Sequence, residues 1–228
     1  LLVRLIASID HPVARLHIID NSAEGIPADL VASAVSGNGN VLDYWVSQPA
    51  KNLGVAASWN YGIKQHVNDG IWFIANVDTE FGSGDLAALL KSADFDFQMS
   101  VPSWIGINGD WRVFALNIWM IRLIGWFDEN FVPIYCEDAD YERRAFLAKV
   151  PARYLTGTST HVGSATINSS HAMRARNDRT YALNVEYYRS KWGGLPRHGE
   201  IFKTPFSRDV PLSYWELDPM RLASQSWD

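Results

Sequence analysis

Apolar residues follow two alternating rhythms along the first hundred positions. Leu1 to Ile9 carries them at helical spacing and predicts an amphipathic helix already under way, broken at His11-Pro12. Arg15 to Asp20 is a short apolar run ending in Asp20-Asn21-Ser22, a strand followed by a turn. Pro27 to Ser36 suits a helix closed by Gly37, and Val41 to Val46 a β-branched and aromatic strand. After the turn Asn52-Leu53-Gly54, residues Val55, Trp59, Ile63 and Val67 form one helical stripe. Ile71 to Val77 is a continuous apolar run, the kind buried on both faces of a parallel sheet. Ser83 to Ala93 predicts a helix and Phe95 to Val101 another strand. The alternation is that of an α/β protein with a mostly parallel central sheet flanked by helices.

The later half is less regular. Trp111 to Asn117 predicts a strand, and a helix then runs to Gly125. The acidic cluster Glu137-Asp138-Ala139-Asp140 opens a helix to about Lys149, and Ala152 to Thr156 is a short strand. His161 lies in a loop rich in Gly, Ser and Thr, and Arg179 to Trp192 forms a helix stopped by Gly193-Gly194. The pattern suggests a domain over residues 1–194. Residues 195–228 form an extended C-terminal tail carrying Pro196, Pro205, Pro211 and Pro219.

Composition narrows the function classes. Net charge is −5, which gives no global attraction to nucleic acid. The single cysteine, Cys136, excludes a disulfide framework and suits a reducing, cytoplasmic compartment. No apolar run reaches the ~18–20 residues of a membrane span. The surplus is aromatic, with 10 Trp, 9 Tyr and 10 Phe, which leans toward carbohydrate. No Gly-rich dinucleotide fingerprint, P-loop or complete nucleophile elbow is present.

What remains is carboxylates at strand ends, where open α/β sheets bind ligands. Asp20 ends one strand, and Asn76 and Asp78 end another. Two oxygen side chains at i and i+2 leave an extended strand on one side and suit Mg²⁺ or Mn²⁺. The alternative is that both segments merely turn the chain. Glu137-Asp138-x-Asp140 is richer in acid than a helix start needs, and one member could act as a general base; the alternative is dipole stabilisation. Trp104 and Trp111 flank Gly106-Ile107-Asn108-Gly109, a loop that would have to expose them to form an acceptor platform.

In order along the chain, these segments resemble the family 2 glycosyltransferases, in particular their rhamnosyltransferase-like branch. Ile18-Ile19-Asp20-Asn21-Ser22 resembles the family's V-D-N-S, and Asn52-Leu53-Gly54 through Asn60-Tyr61-Gly62 its N-x-G helix entry. Asn76-Val77-Asp78-Thr79 is similar to N-P-D-T, a variant of its D-x-D metal motif. Gly125-Trp126-Phe127-Asp128-Glu129 is similar to G-x-F-D-E. Tyr135-Cys136-Glu137-Asp138-Ala139-Asp140 resembles Y-x-E-D-x-D, and His161-Val162-Gly163-Ser164 resembles H-x-x-S.

The resemblance implies a GT-A fold and inverting sugar transfer from a UDP- or dTDP-sugar. The acceptor would be a hydroxyl of a glycan, a lipid-linked acceptor or a protein. It makes Asp138 the general base and Asp20, Asn52, Gly54, Asn76 and Asp78 nucleotide-sugar ligands. It assigns Asp78 and His161 to Mn²⁺ or Mg²⁺. Glu137 joins Trp104 and Trp111 among the acceptor-binding residues. The family's first strand would precede Leu1, and an oligomer is compatible with the pattern. Two alternatives remain: a non-catalytic carbohydrate-binding or scaffold domain with a degenerate transferase fold, and a sugar nucleotidylyltransferase, which would need a Gly-rich loop near the N-terminus.

Overall fold

The computed structural model describes residues 1–161 and 171–207. They form a mixed α/β structure that divides into two compact units, neither continuous in sequence. One comprises Leu1–Lys51, Gly62–Met120 and residues 152–161; the other comprises Asn52–Tyr61, Ile121–Pro151 and residues 171–207.

The first unit holds every strand among the described residues. It opens with helix α1 (Leu2–Ala7), strand β1 (Leu16–Ile19), helix α2 (Ala28–Ser36) and strand β2 (Tyr44–Ser47). β1 and β2 pair in parallel, with Ile18 opposite Val46. Ile6, Ile18 and Val31 form the core beneath them, so the apolar faces of α1 and α2 cover one side of this ribbon.

Helix α3 (Gly54–Gln65) contributes to both units. Strand β3 (Ile71–Ala75), the short β4 (Thr79–Glu80), helix α4 (Asp85–Gln98), β5 (Trp104–Ile107) and β6 (Asp110–Asn117) follow. β7 (Arg153–Leu155) completes a four-stranded sheet of order β3-β6-β5-β7, and β8 (Thr160–His161) pairs with β4. Leu89 and Ala93 of α4 pack on Ile105, Ile107, Val113 and Ala115 of that sheet.

Two expectations are corrected here. The four-stranded sheet is mixed: β3–β6 and β5–β6 are antiparallel and only β5–β7 is parallel. The β5–β6 pairing follows from the hairpin at Asn108-Gly109. Both residues have positive φ (57° and 81°), the conformation that an Asn-Gly pair supplies to a tight β-turn. β3 is accordingly not sealed on both faces, and Phe73 is exposed. The expected strand at Phe95 to Val101 is the end of α4. Phe95-Asp96-Phe97 alternates in polarity, but Asp96 is the buried member, paired with Arg153. Leu89, Ala93 and Asp96 thus form one helical face, and tertiary pairing overrides the alternation.

The second unit is helical. Helix α5 (Ile118–Ile124) leads into it; α6 (Glu137–Leu147) and α7 (His171–Trp192) dominate it. Phe131, Cys136, Ala139, Tyr188 and Trp192 form its core. The chain after α7 folds back on its end, where the Ile201 and Phe202 N–H groups donate to the Trp192 carbonyl. Pro211 and Pro219 of the tail lie outside the described residues, as do Val162, Gly163 and Ser164 of the H-x-x-S segment. No helix among the described residues is long and apolar enough to cross a membrane.

Candidate functional site

In the first unit, Asp20 follows β1 and is buried. One carboxylate oxygen accepts from the Ser22 N–H (2.9 Å) and the other from the Ile26 N–H (2.7 Å). Burial alone would raise its pKa, but bonds from the Ser22 side chain and these two N–H groups outweigh burial and hold it below the usual range. Asp20 is therefore an ionised acceptor that pins the 20–26 loop.

β3 ends at Ala75, and residues 76–79 form a turn closed by the Thr79 N–H donating to the Asn76 carbonyl (3.1 Å). Asn76 and Asp78 therefore do not leave an extended strand side by side. Asp78 is instead met from β8: its Oδ2 lies 2.9 Å from His161 Nε2, both side chains partly open to solvent. The register of Thr79 with His161 in the β4–β8 pairing sets this contact. The N–H groups of Thr158 and Ser159 donate to Asp85 at the start of α4, which anchors the segment that delivers His161. The Asp78 charge is also felt by Arg112.

Among the described residues no group of three or more His, Cys, Asp or Glu is gathered for a metal ion. The Asp78–His161 pair offers one oxygen and one nitrogen donor. That fits a divalent cation that takes its remaining ligands from water and diphosphate oxygens.

Trp104 and Trp111 do not form an exposed platform. They are only 1% and 6% exposed, stacked on each other at 4.4 Å, with Tyr154 edge-on to Trp104. The segment between them is the hairpin turn, so both indoles belong to the paired strands and face the core.

In the second unit, Asn52 Oδ1 accepts from the Gly54 N–H (2.8 Å). Gly54 has φ +74°, and a Cβ there would lie 2.7 Å from the Pro133 carbonyl oxygen. The Val55 N–H donates to that same oxygen (2.7 Å), so this glycine lets the start of α3 close on the 133 segment. Further along α3, Asn60 Nδ2 donates to the Phe127 carbonyl and to Glu129 Oε1, both at 2.8 Å.

The acidic triplet at the start of α6 separates into three environments, as a turn of about 100° per residue requires. Asp140 is fully buried. It accepts from Arg144 Nε (2.9 Å) and Trp192 Nε1 (2.8 Å) and pairs with Lys191 Nζ (2.6 Å). Glu137 is also buried, and among the described residues its Oε2 has no hydrogen-bond partner. Burial foremost, and then the charge of Asp138, push its pKa up to about 8, so it is mostly neutral at pH 7. Asp138 is the accessible member, its side chain 27% exposed.

Asp138 lines a cleft of about 440 Å³ together with Tyr135, Asn177, Asp178, Tyr181 and Arg197. Arg197 Nη2 donates to Asp138 Oδ2 (2.8 Å) and its Nε to Glu142 Oε2 (2.6 Å). These carboxylates raise the pKa of Arg197 above its ordinary value despite partial burial. Arg197, Tyr181 and Asn177 were not legible in the sequence. They lie 39 to 59 positions downstream of Asp138, and no local motif marks them.

The chain is similar to a galactofuranosyl glycosyltransferase of Leishmania donovani, 30% identical over 132 residues. The match covers 49% of this chain and 30% of the relative, so the chain spans under a third of that protein's length. The likeness supports kinship with glycosyltransferases and glycosyl transfer in general. No family model matches the chain, and no solved structure matches it.

Proposed function

We propose that the chain carries the catalytic part of an inverting glycosyltransferase of the family 2, GT-A type. It would move a sugar from a nucleotide-diphosphate donor, UDP- or dTDP-linked, to an acceptor hydroxyl. The observation that carries the reading is the division of labour in the acidic triplet. Asp140 is consumed by buried ion pairs and Glu137 is buried, which leaves Asp138 as the member of the triplet that lines a cleft. An accessible carboxylate within hydrogen-bond reach of an incoming hydroxyl is what a general base requires. The likeness to a named glycosyltransferase supports the same class of chemistry.

On this reading Asp138 takes the proton from the acceptor hydroxyl as its oxygen attacks the anomeric carbon. The bond to the diphosphate breaks on the opposite face, so configuration inverts. Asp78 and His161 would hold Mn²⁺ or Mg²⁺, which neutralises charge on the departing diphosphate. Asp20 and the Asn52–Gly54 turn belong to nucleotide-sugar binding. The relative's name makes a galactofuranosyl donor the first to try.

A thermal-shift screen of UDP and dTDP with and without Mn²⁺ tests the reading. A cognate nucleotide at ~100 times Kd stabilises by about 2.7 kcal/mol. The shift should need Mn²⁺ and should disappear in Asp78→Ala. A shift that survives Asp78→Ala, or no shift with any nucleotide, refutes the donor-site assignment.

A further inference from the structure

We propose that the Asp138 cleft is a subsite for an uncharged sugar ring, with Tyr181 as its stacking face and Arg197 as the residue that orients Asp138. The inference rests on the proposed transferase reading only in making that ring the acceptor. Ring binding itself does not depend on it.

The aromatic wall is built and braced. Tyr181 on α7 is about half exposed, and Tyr135 holds it edge-on at 5.4 Å and 84°. Tyr135 and Cys136 are consecutive non-glycine residues with positive φ, 82° and 74°. Each such residue costs on the order of 1–3 kcal/mol and persists only when its surroundings enforce it. Here the enforcement comes from the 131–139 core and from Asn184, whose amide donates to the carbonyls of Ile134 and Tyr135. A phenol ring fixed with part of its surface in a cleft offers its electron-rich face to the C–H face of a sugar. The volume lies at the small-ligand end of the usual range of about 300–1,000 Å³.

The polar groups are those that hydroxyls satisfy. Asp138 is an acceptor, and Asn177 lines the same cleft.

The charges select against anions. The guanidinium of Arg197 is already shared between Asp138 and Glu142, and Asp178 adds a further negative charge to the rim. Among the described residues that line the cleft, a uronate or phosphate would meet no cation other than Arg197 and would face like charge.

Arg197 bridges residues four apart on α6, so its fork can hold the Asp138 carboxylate in a single orientation. A lysine is a point charge and cannot span both carboxylates in that way. Arg197 acts through Asp138 and is a positioning residue.

Saturation-transfer NMR on the full chain tests the subsite, with methyl β-D-galactopyranoside and galacturonate as probes at pH 7. The neutral glycoside should bind, galacturonate at least about tenfold more weakly, and Tyr181→Ala should lose binding without a change in Tm. Equal binding of the two probes, or unchanged binding in Tyr181→Ala, overturns the subsite. In transfer assays Arg197→Gln should lower kcat at least about tenfold with acceptor KM and donor affinity unchanged, and Arg197→Lys should recover only part. An unchanged or raised kcat in Arg197→Gln overturns its positioning role. If the glycoside binds as described and no donor supports transfer, the transferase reading fails while the ring site stands.

Discussion

Replacing Asp140 with Asn separates structure from chemistry in the acidic triplet. The carboxylate is fully buried and faces Lys191 at 2.6 Å, Arg144 at 2.9 Å and the Trp192 indole N–H at 2.8 Å. An amide of the same size removes the negative charge and turns an N–H₂ group toward cations. Removing one partner of a buried ion pair typically costs about 3–5 kcal/mol, because the remaining charge stays out of water. Here Lys191 keeps Asp128 at 2.6 Å and Arg144 keeps the Ile124 carbonyl at 2.8 Å. The loss therefore belongs at the lower end, about 3 kcal/mol. With a urea m-value of about 2–3 kcal/mol/M, the midpoint should fall by about 1–1.5 M at unchanged m. Asp138→Asn removes only a partly exposed pair with Arg197, worth about 1 kcal/mol or less, and should move the midpoint by under about 0.5 M. Paired urea melts followed by tryptophan fluorescence give both numbers. If Asp140→Asn shifts the midpoint no more than Asp138→Asn, the buried network does not hold this unit together.

Other perturbations read the same region. Glu137 is protonated when folded, with a pKa raised from 4.5 to about 8. Its stabilising contribution is full below pH 4.5 and is lost as pH rises toward 8, because the unfolded chain releases the proton first. Urea midpoints should fall across that window in the wild type and fall less in Glu137→Gln; parallel curves would show that Glu137 is already ionised. Gly54→Ala places a methyl group 2.7 Å from the Pro133 carbonyl at a positive φ. It should destabilise by about 1–3 kcal/mol, and a denaturation midpoint equal to that of the wild type would show that the backbone there relaxes freely.

Element types were legible wherever one rhythm ran unopposed. The α3 stripe of Val55, Trp59 and Ile63 and the strand at Trp111 to Asn117 are where periodicity places them. The sheet was misread because pairing direction is decided by connections. Asn108-Gly109 is a hairpin signal between apolar runs rather than an open loop. Reading it as a turn would have joined β5 and β6 antiparallel and sent both indoles inward. The Phe95–Phe97 alternation misled because a buried aspartate paired with Arg153 stands where a core residue is expected. Of the candidate site, the motif residues were visible because spacing carries them. The separate environments of the three acids were not, since the partners of Asp140, Lys191 and Trp192, come from more than 50 positions downstream.

The proposed function makes Asp138 the base of a glycosyl transfer. Single-turnover transfer from a UDP-sugar in the presence of Mn²⁺, comparing wild type with Asp138→Asn, tests it most directly. The substitution keeps size and removes basicity, so transfer should fall by about 10²–10⁴-fold while nucleotide affinity and the thermal shift with UDP and Mn²⁺ stay as in the wild type. Transfer at the wild-type rate, or loss of nucleotide binding together with transfer, would contradict the assignment.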